Sequence, residues 1–229
     1  MKCRGLALVA ALLLAGCGGD SAASEPQENL LDTVTHAAGQ PVTGPERRIL
    51  AFGDSLFAGY GVGTAKSYPA QLQAALRTRG VNVRVTNSGV SGDTTASGLQ
   101  RIEFVLDGGP RPDLVIVELG GNDLLRGISP VETRENLKGI LLELQERNVP
   151  VLLMGMRAPP NLGEAYVQAF DGIYPDLAGQ YGAKLVPFFL EAVYDKPQLM
   201  QRDHKHPNAE GVQRIVAATV DDVAEALPD

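Results

Sequence analysis

The chain has 229 residues, with 27 acidic side chains against 20 basic ones and a formal charge of -7. A balance that negative, without a basic stripe or an aromatic platform, argues against a nucleic-acid partner. The two cysteines, Cys3 and Cys17, both lie near the start, so the rest of the chain holds no disulfide and must rest on a packed core.

Residues 1–16 read as a secretory leader. Lys2 and Arg4 give a positive flank, and residues 5–15 are apolar but too few to span a bilayer. Leu14-Ala15-Gly16-Cys17 resembles the lipobox of bacterial lipoproteins, which implies cleavage before Cys17 and a lipid on it. Gly18 resembles the residues that permit export to an outer membrane, so the resemblance implies a lipoprotein of the cell envelope, periplasmic or anchored in the outer membrane. Residues 17–46, rich in Gly, Ser, Pro, Glu, Gln and Thr, have the composition of a flexible tether in which His36 is inert. Residues 47–229 have the length of one α/β domain.

In that domain, apolar runs and amphipathic segments alternate. A strand is expected over 48–52, then a helix over 68–79 behind Ser67 as N-cap, a strand over 81–86 and a helix over 94–106. The apolar run Leu114-Val115-Ile116-Val117 heads a strand over 114–119 covered on both faces. A helix over 131–147, a strand over 151–156, a helix over 164–181, a strand over 184–187 and a last helix over 209–227 follow. This alternation predicts a three-layer α/β/α sandwich around a mostly parallel sheet of five strands in the flavodoxin-like order.

Gly53-Asp54-Ser55-Leu56 lies just past the first strand, where open α/β sheets place their ligands, which makes Ser55 a candidate nucleophile. Asn87 to Thr94 follows the second strand; there the Gly89 N–H would approach a developing oxyanion, while Asp93 or Thr94 caps the next helix. Gly120-Gly121-Asn122-Asp123 repeats the placement after the central strand, and the Asn122 amide offers donors to the same oxyanion. Ahead of the last helix, Asp203-His204-Lys205-His206-Pro207-Asn208 spaces Asp203 and His206 so that one turn brings both to one side, carboxylate on one ring nitrogen and serine on the other. An adjacent Asp and His point apart, which favours His206 over His204. A metal site at Asp203, His204 and His206 lacks further Cys or His ligands.

These blocks resemble, in order and spacing, the GDSL family of hydrolases, also called SGNH, its four letters falling on Ser55, Gly89, Asn122 and His206. Leu119 to Asp123, Ser91-Gly92-Asp93-Thr94, Pro187-Phe188-Phe189 and Val193-Tyr194 with Lys196-Pro197-Gln198 are similar to the bacterial thioesterase I, lysophospholipase and arylesterase subgroup. The resemblance implies a Ser55, His206 and Asp203 triad, an oxyanion hole from the Ser55 and Gly89 N–H groups and the Asn122 side chain, and no metal or organic cofactor. It also implies an acyl groove shaped by the loops 124–129 and 157–162, with Leu124, Leu125, Ile128, Ala158 and Pro159 on the substrate. Ala158 stands where relatives carry a larger aliphatic side chain, which would leave room in that groove. The expected partner is a small-molecule acyl ester or thioester, met by a monomer. The rivals are a carbohydrate O-acetyl esterase, against which the apolar Leu124, Leu125 and Ile128 argue, and a binding lipoprotein without catalysis. A Gly-x-Ser-x-Gly elbow is absent, which disfavours an α/β-hydrolase.

Overall fold

The computed structural model describes residues 42–228. The leader, Cys17, His36 and most of the expected tether lie outside the described residues. The last tether residues already touch the domain: the Gly44 carbonyl accepts from Asn82 Nδ2, and Glu46 pairs with Arg48 and Arg84.

Five parallel strands form one sheet in the order β2-β1-β3-β4-β5: β1 Arg47–Gly53, β2 Val83–Gly89, β3 Leu114–Glu118, β4 Val151–Met154 and β5 Lys184–Val186. β1 lies between β2 and β3, and all five residues of β3 are buried. Parallel neighbours need right-handed crossovers, so reversing the winding after β2 sends helices to both faces. The principal helices are α2 Tyr68–Thr78, α3 Thr95–Asp107, α5 Pro130–Glu146, α7 Ile173–Tyr181 and α8 Ala209–Ala226, while α1 Ser55–Ala58, α4 Gly121–Arg126 and α6 Glu164–Asp171 are shorter. α2 packs on α8, and α5 packs on α3 and α7.

Side-chain caps start the long helices. Ser67, Thr94, Ser129 and Asn208 each accept a first-turn N–H, and Pro follows Ser129 directly, where a missing N–H leaves no bond unmade. Tyr68, in α2, hydrogen-bonds Thr219 of α8 at 2.7 Å.

Three element bounds depart from the sequence expectation. The second strand is displaced towards Gly89, because the Val81 N–H bonds back to Leu76 O to close α2, while the polar Asn87, Ser88 and Gly89 pair with Ala51, Phe52 and Gly53. The helix expected over 164–181 is two: Pro175 offers no N–H to Asp171 O, and the helix breaks at Gly172. β4 ends at Met154, after which Gly155 exchanges backbone bonds with Val186 and Phe189 in a bend beside the site.

Candidate active site

Ser55 sits at the first position of α1, a single turn that starts where β1 leaves the sheet. Asp54 caps it by accepting the Leu56 N–H at 3.0 Å. The turn is seated by Phe57, fully buried, which stacks on Tyr68 at 5.2 Å and meets the edge of Phe189 at 5.6 Å. Asn87 Nδ2 donates to the Phe57 carbonyl at 2.8 Å, tying β2 to the same turn.

The loop before α8 brings His206 over this serine. His206 Nε2 lies 2.8 Å from Ser55 Oγ, and Nδ1 lies 2.6 Å from Asp203 Oδ2. A carboxylate only accepts, so Nδ1 carries the ring proton and Nε2 is left to accept from the Ser55 hydroxyl. Asp203 Oδ1 also accepts the N–H groups of Lys205 and His206, at 3.0 and 3.1 Å. Partial burial works against the Asp203 charge, but the hydrogen bonds from the His206 ring and from these two N–H groups outweigh it and hold the carboxyl at about 2. The Tyr60 ring lies 4.4 Å from the imidazole, centroid to centroid. Gln201 Nε2 bridges the two loops by donating to Tyr60 O and Pro207 O. His204 is exposed and lies off the groove, with a left-handed backbone at φ 56.

Asn122 enters from α4. Its Nδ2 donates to Asp54 Oδ2 at 2.8 Å and to Asp93 O at 2.9 Å, which fixes the amide where Asn122 lines the groove with Ser55. Asp93 is itself held by Arg101, whose guanidinium also donates to Gly53 O and lies over the Phe52 ring. Asp123 is wholly buried and has a joining role: it accepts from Thr95 N and Thr95 Oγ1 of α3 and from Thr133 Oγ1 of α5.

Gly89 does not stand where the oxyanion hole requires it. Its N–H is taken by Asn87 Oδ1 at 2.9 Å, and its lack of a Cβ serves packing, since one built there would lie 2.4 Å from Ala58 N. Gly92, three residues on, lines the groove with Ser55 and Asn122, and among the described residues its N–H meets no acceptor. Both glycines fall in one polar block, and only the folded structure shows which N–H is free.

The groove running from Ser55 has a volume of about 570 Å³. Leu124, Leu125 and Pro159 line it, but Ile128 and Ala158 do not. Ile128 presents its carbonyl to Tyr166 Oη, and Ala158 is buried with its N–H on Asp171 Oδ1, so its small size opens no room for substrate. Met156, Leu162, Phe188 and Leu190 supply the apolar wall instead. Met156 ends the apolar run expected as the fourth strand and Leu162 ends the loop 157–162 expected to shape the groove; Phe188 and Leu190 follow β5 and reach the groove beside the bend at Gly155.

Glu118, the last residue of β3, had a signal in the sequence, an acid closing a continuous apolar run. It is wholly buried, and its Oε2 accepts the Asp54 N–H at 3.3 Å, beside the turn that carries Ser55.

A hydroxyl, an imidazole and a carboxylate in line at the carboxyl end of a flavodoxin-like sheet make the layout of a serine hydrolase. The model of the GDSL-like Lipase/Acylhydrolase family matches residues 51–214. An arylesterase of Vibrio mimicus is 41% identical over 180 residues, covering 79% of this chain and 90% of that protein. Thioesterase 1/protease 1/lysophospholipase L1 of Escherichia coli K12 is 44% identical over 160 residues, covering 70% and 75%. The crystal structure of AlinE4, a SGNH-hydrolase family esterase, superposes with a TM-score of 0.69 at 66% identity, covering 82% of this chain and 100% of that one. The chain belongs to the GDSL-like lipase/acylhydrolase family.

Proposed function

We propose that the protein hydrolyses carboxylic esters and thioesters by two-step acyl transfer at Ser55. The observation that carries this reading is the continuous hydrogen-bonded line from Ser55 through His206 to Asp203 at the mouth of an apolar groove. His206 Nε2 takes the hydroxyl proton as Ser55 Oγ attacks the carbonyl carbon, and Asp203 steadies the imidazolium that results. The tetrahedral oxyanion is received by the N–H groups of Ser55 and Gly92 and by Asn122 Nδ2. In the resting site one Asn122 proton rests on the neutral Asp93 carbonyl, and a full negative charge on the oxyanion competes for that proton on favourable terms. His206 returns its proton to the alcohol or thiol as it leaves, and water then repeats the sequence on the acyl-enzyme.

The apolar wall of the groove favours an acyl chain over a sugar. Aryl esters, acyl thioesters and lysophospholipids are the candidate substrates, in keeping with the names of the relatives. Cys17 and the lipobox-like stretch ahead of it support an exported lipoprotein held at a membrane of the envelope, and a Cys17→Ser chain that still partitions with membranes would overturn that part.

Comparison of p-nitrophenyl esters of increasing chain length with acetylated sugars tests the reading. Turnover of the acyl esters, abolished by Ser55→Ala, is expected. Preference for acetylated sugars would transfer the assignment to carbohydrate deacetylation, and no turnover of either would point to a binding protein.

A further inference from the structure

The nucleophile turn rests on two buried carboxyls, and the mechanism above uses neither Glu118 nor its proton. Glu118 is 0% exposed and stands in register with Gly53 at the end of β3. Gly53 makes its room: a Cβ there would lie 2.7 Å from Glu118 O and 2.9 Å from Oε2. Oε2 receives one weak bond, from the Asp54 N–H at 3.3 Å, and Oε1 meets no partner among the described residues. Asp54 is far better supplied, with the Leu56 N–H at 3.0 Å and Asn122 Nδ2 at 2.8 Å. A buried carboxylate needs donors, and two carboxylates side by side repel, so one proton stays in the pair and belongs on the poorly supplied member.

We propose that Glu118 is a positioning residue, kept as a neutral acid, that holds the Asp54 N–H and leaves Asp54 as the single anion beneath Ser55, so that Asp54 keeps Asn122 aimed into the groove. The inference rests on the reading of Ser55 as nucleophile. Burial, and then the Asp54 charge, raise the Glu118 carboxyl well above its ordinary range, in the same sense as the geometry. Beside this pair stand Tyr174 on α7, whose hydroxyl donates to Leu119 O, and Asp123 on α4, which with Glu118 and Asp54 raises the Tyr174 phenol, while His206 faces Asp54 and favours its charge. Arg101 on α3 is committed to Asp93 and to the Gly53 carbonyl. When Glu118 loses its proton at alkaline pH, two anions face each other, Asp54 is pushed off Asn122, and the oxyanion hole loses its aim.

Glu118→Gln mimics the neutral acid, because its carbonyl accepts the Asp54 N–H and its NH2 offers protons to the Asp54 carboxylate. Glu118→Ala is expected to lower kcat about tenfold or more with a much smaller change in KM. Glu118→Gln should recover that loss and carry the activity plateau to higher pH than the parent. If Glu118→Ala fails to fold, the pH profiles of the parent and Glu118→Gln decide the matter. Glu118→Gln as slow as Glu118→Ala at neutral pH, or identical alkaline limbs in parent and Glu118→Gln, overturns the proposal. Infrared difference spectra supply a readout independent of catalysis: at neutral pH the parent should show a protonated-carboxyl stretch that Glu118→Gln lacks, and a parent without it also overturns the proposal. Fluorophosphonate labelling of the parent separates failure here from failure of the Ser55 reading, since only the latter removes the label.

Discussion

Asn122 spends its amide on Asp54 and Asp93 before any substrate arrives, and this gives the side chain a fixed direction rather than a fixed charge. Asn122→Ala should lower kcat roughly a hundredfold or more, the usual loss for one oxyanion donor, while the melting temperature stays close to the parent's. Steady-state kinetics beside thermal unfolding checks this, and an unchanged kcat removes Asn122 from the hole. At this scale the sequence is legible where a role needs a particular side chain: Ser55, Asn122, Asp203 and His206 meet in space as their blocks suggested. It is illegible where a role needs a backbone N–H. Gly89 and Gly92 look alike as letters, and only the folded chain separates them, with the Asn87 side chain on the Gly89 N–H and Gly92 on the groove. Ile128 and Ala158 depart for a related reason: their loops border the groove, but their backbones are tied to Tyr166 and Asp171 and neither residue lines it.

The short helix α1 is set by packing more than by propensity, because a four-residue helix has little stability of its own. Phe57 is its anchor against Tyr68 and Phe189. Phe57→Ala should cost about 3–5 kcal/mol in urea unfolding, as large aromatic truncations in a core do, and should also slow turnover by loosening the seat of Ser55. A loss of stability with full activity would show that the turn is held by its hydrogen bonds alone. The long elements were readable because apolar period and caps agree, which gave the alternation, the parallel sheet and its order. α1 and α4 were missed because a single turn has no period to read. The strand β2 was displaced because an edge strand tolerates Asn and Ser in its ladder, and the 164–181 segment kept a helical pattern across a break that Gly172 and Pro175 impose.

The whole domain has no cysteine between residues 47 and 229, so its stability comes from the core and from how its charges are placed. Asp203 and Glu118 set opposite pH limits, and Asp54, raised by its burial, adds to the alkaline one. The Asp203 carboxyl is lowered to about 2, so its contribution is present above its ordinary value of 3.8 and is lost as pH falls towards 2. Glu118 is raised, so its contribution is complete below the ordinary value of 4.5 and is lost as pH rises towards its folded value. The melting temperature should therefore fall on both sides of a mildly acidic maximum, and Glu118→Gln should flatten only the alkaline side. An alkaline slope unchanged in that variant would place its cause elsewhere.

In the proposed chemistry every step runs through one atom, Ser55 Oγ, held 2.8 Å from His206 Nε2. Peptide mass spectrometry of the fluorophosphonate-treated protein tests that claim most directly. The predicted result is a single adduct on the peptide bearing Ser55, absent from Ser55→Ala; an adduct on another groove residue such as Ser91, or one that survives in Ser55→Ala, would contradict it.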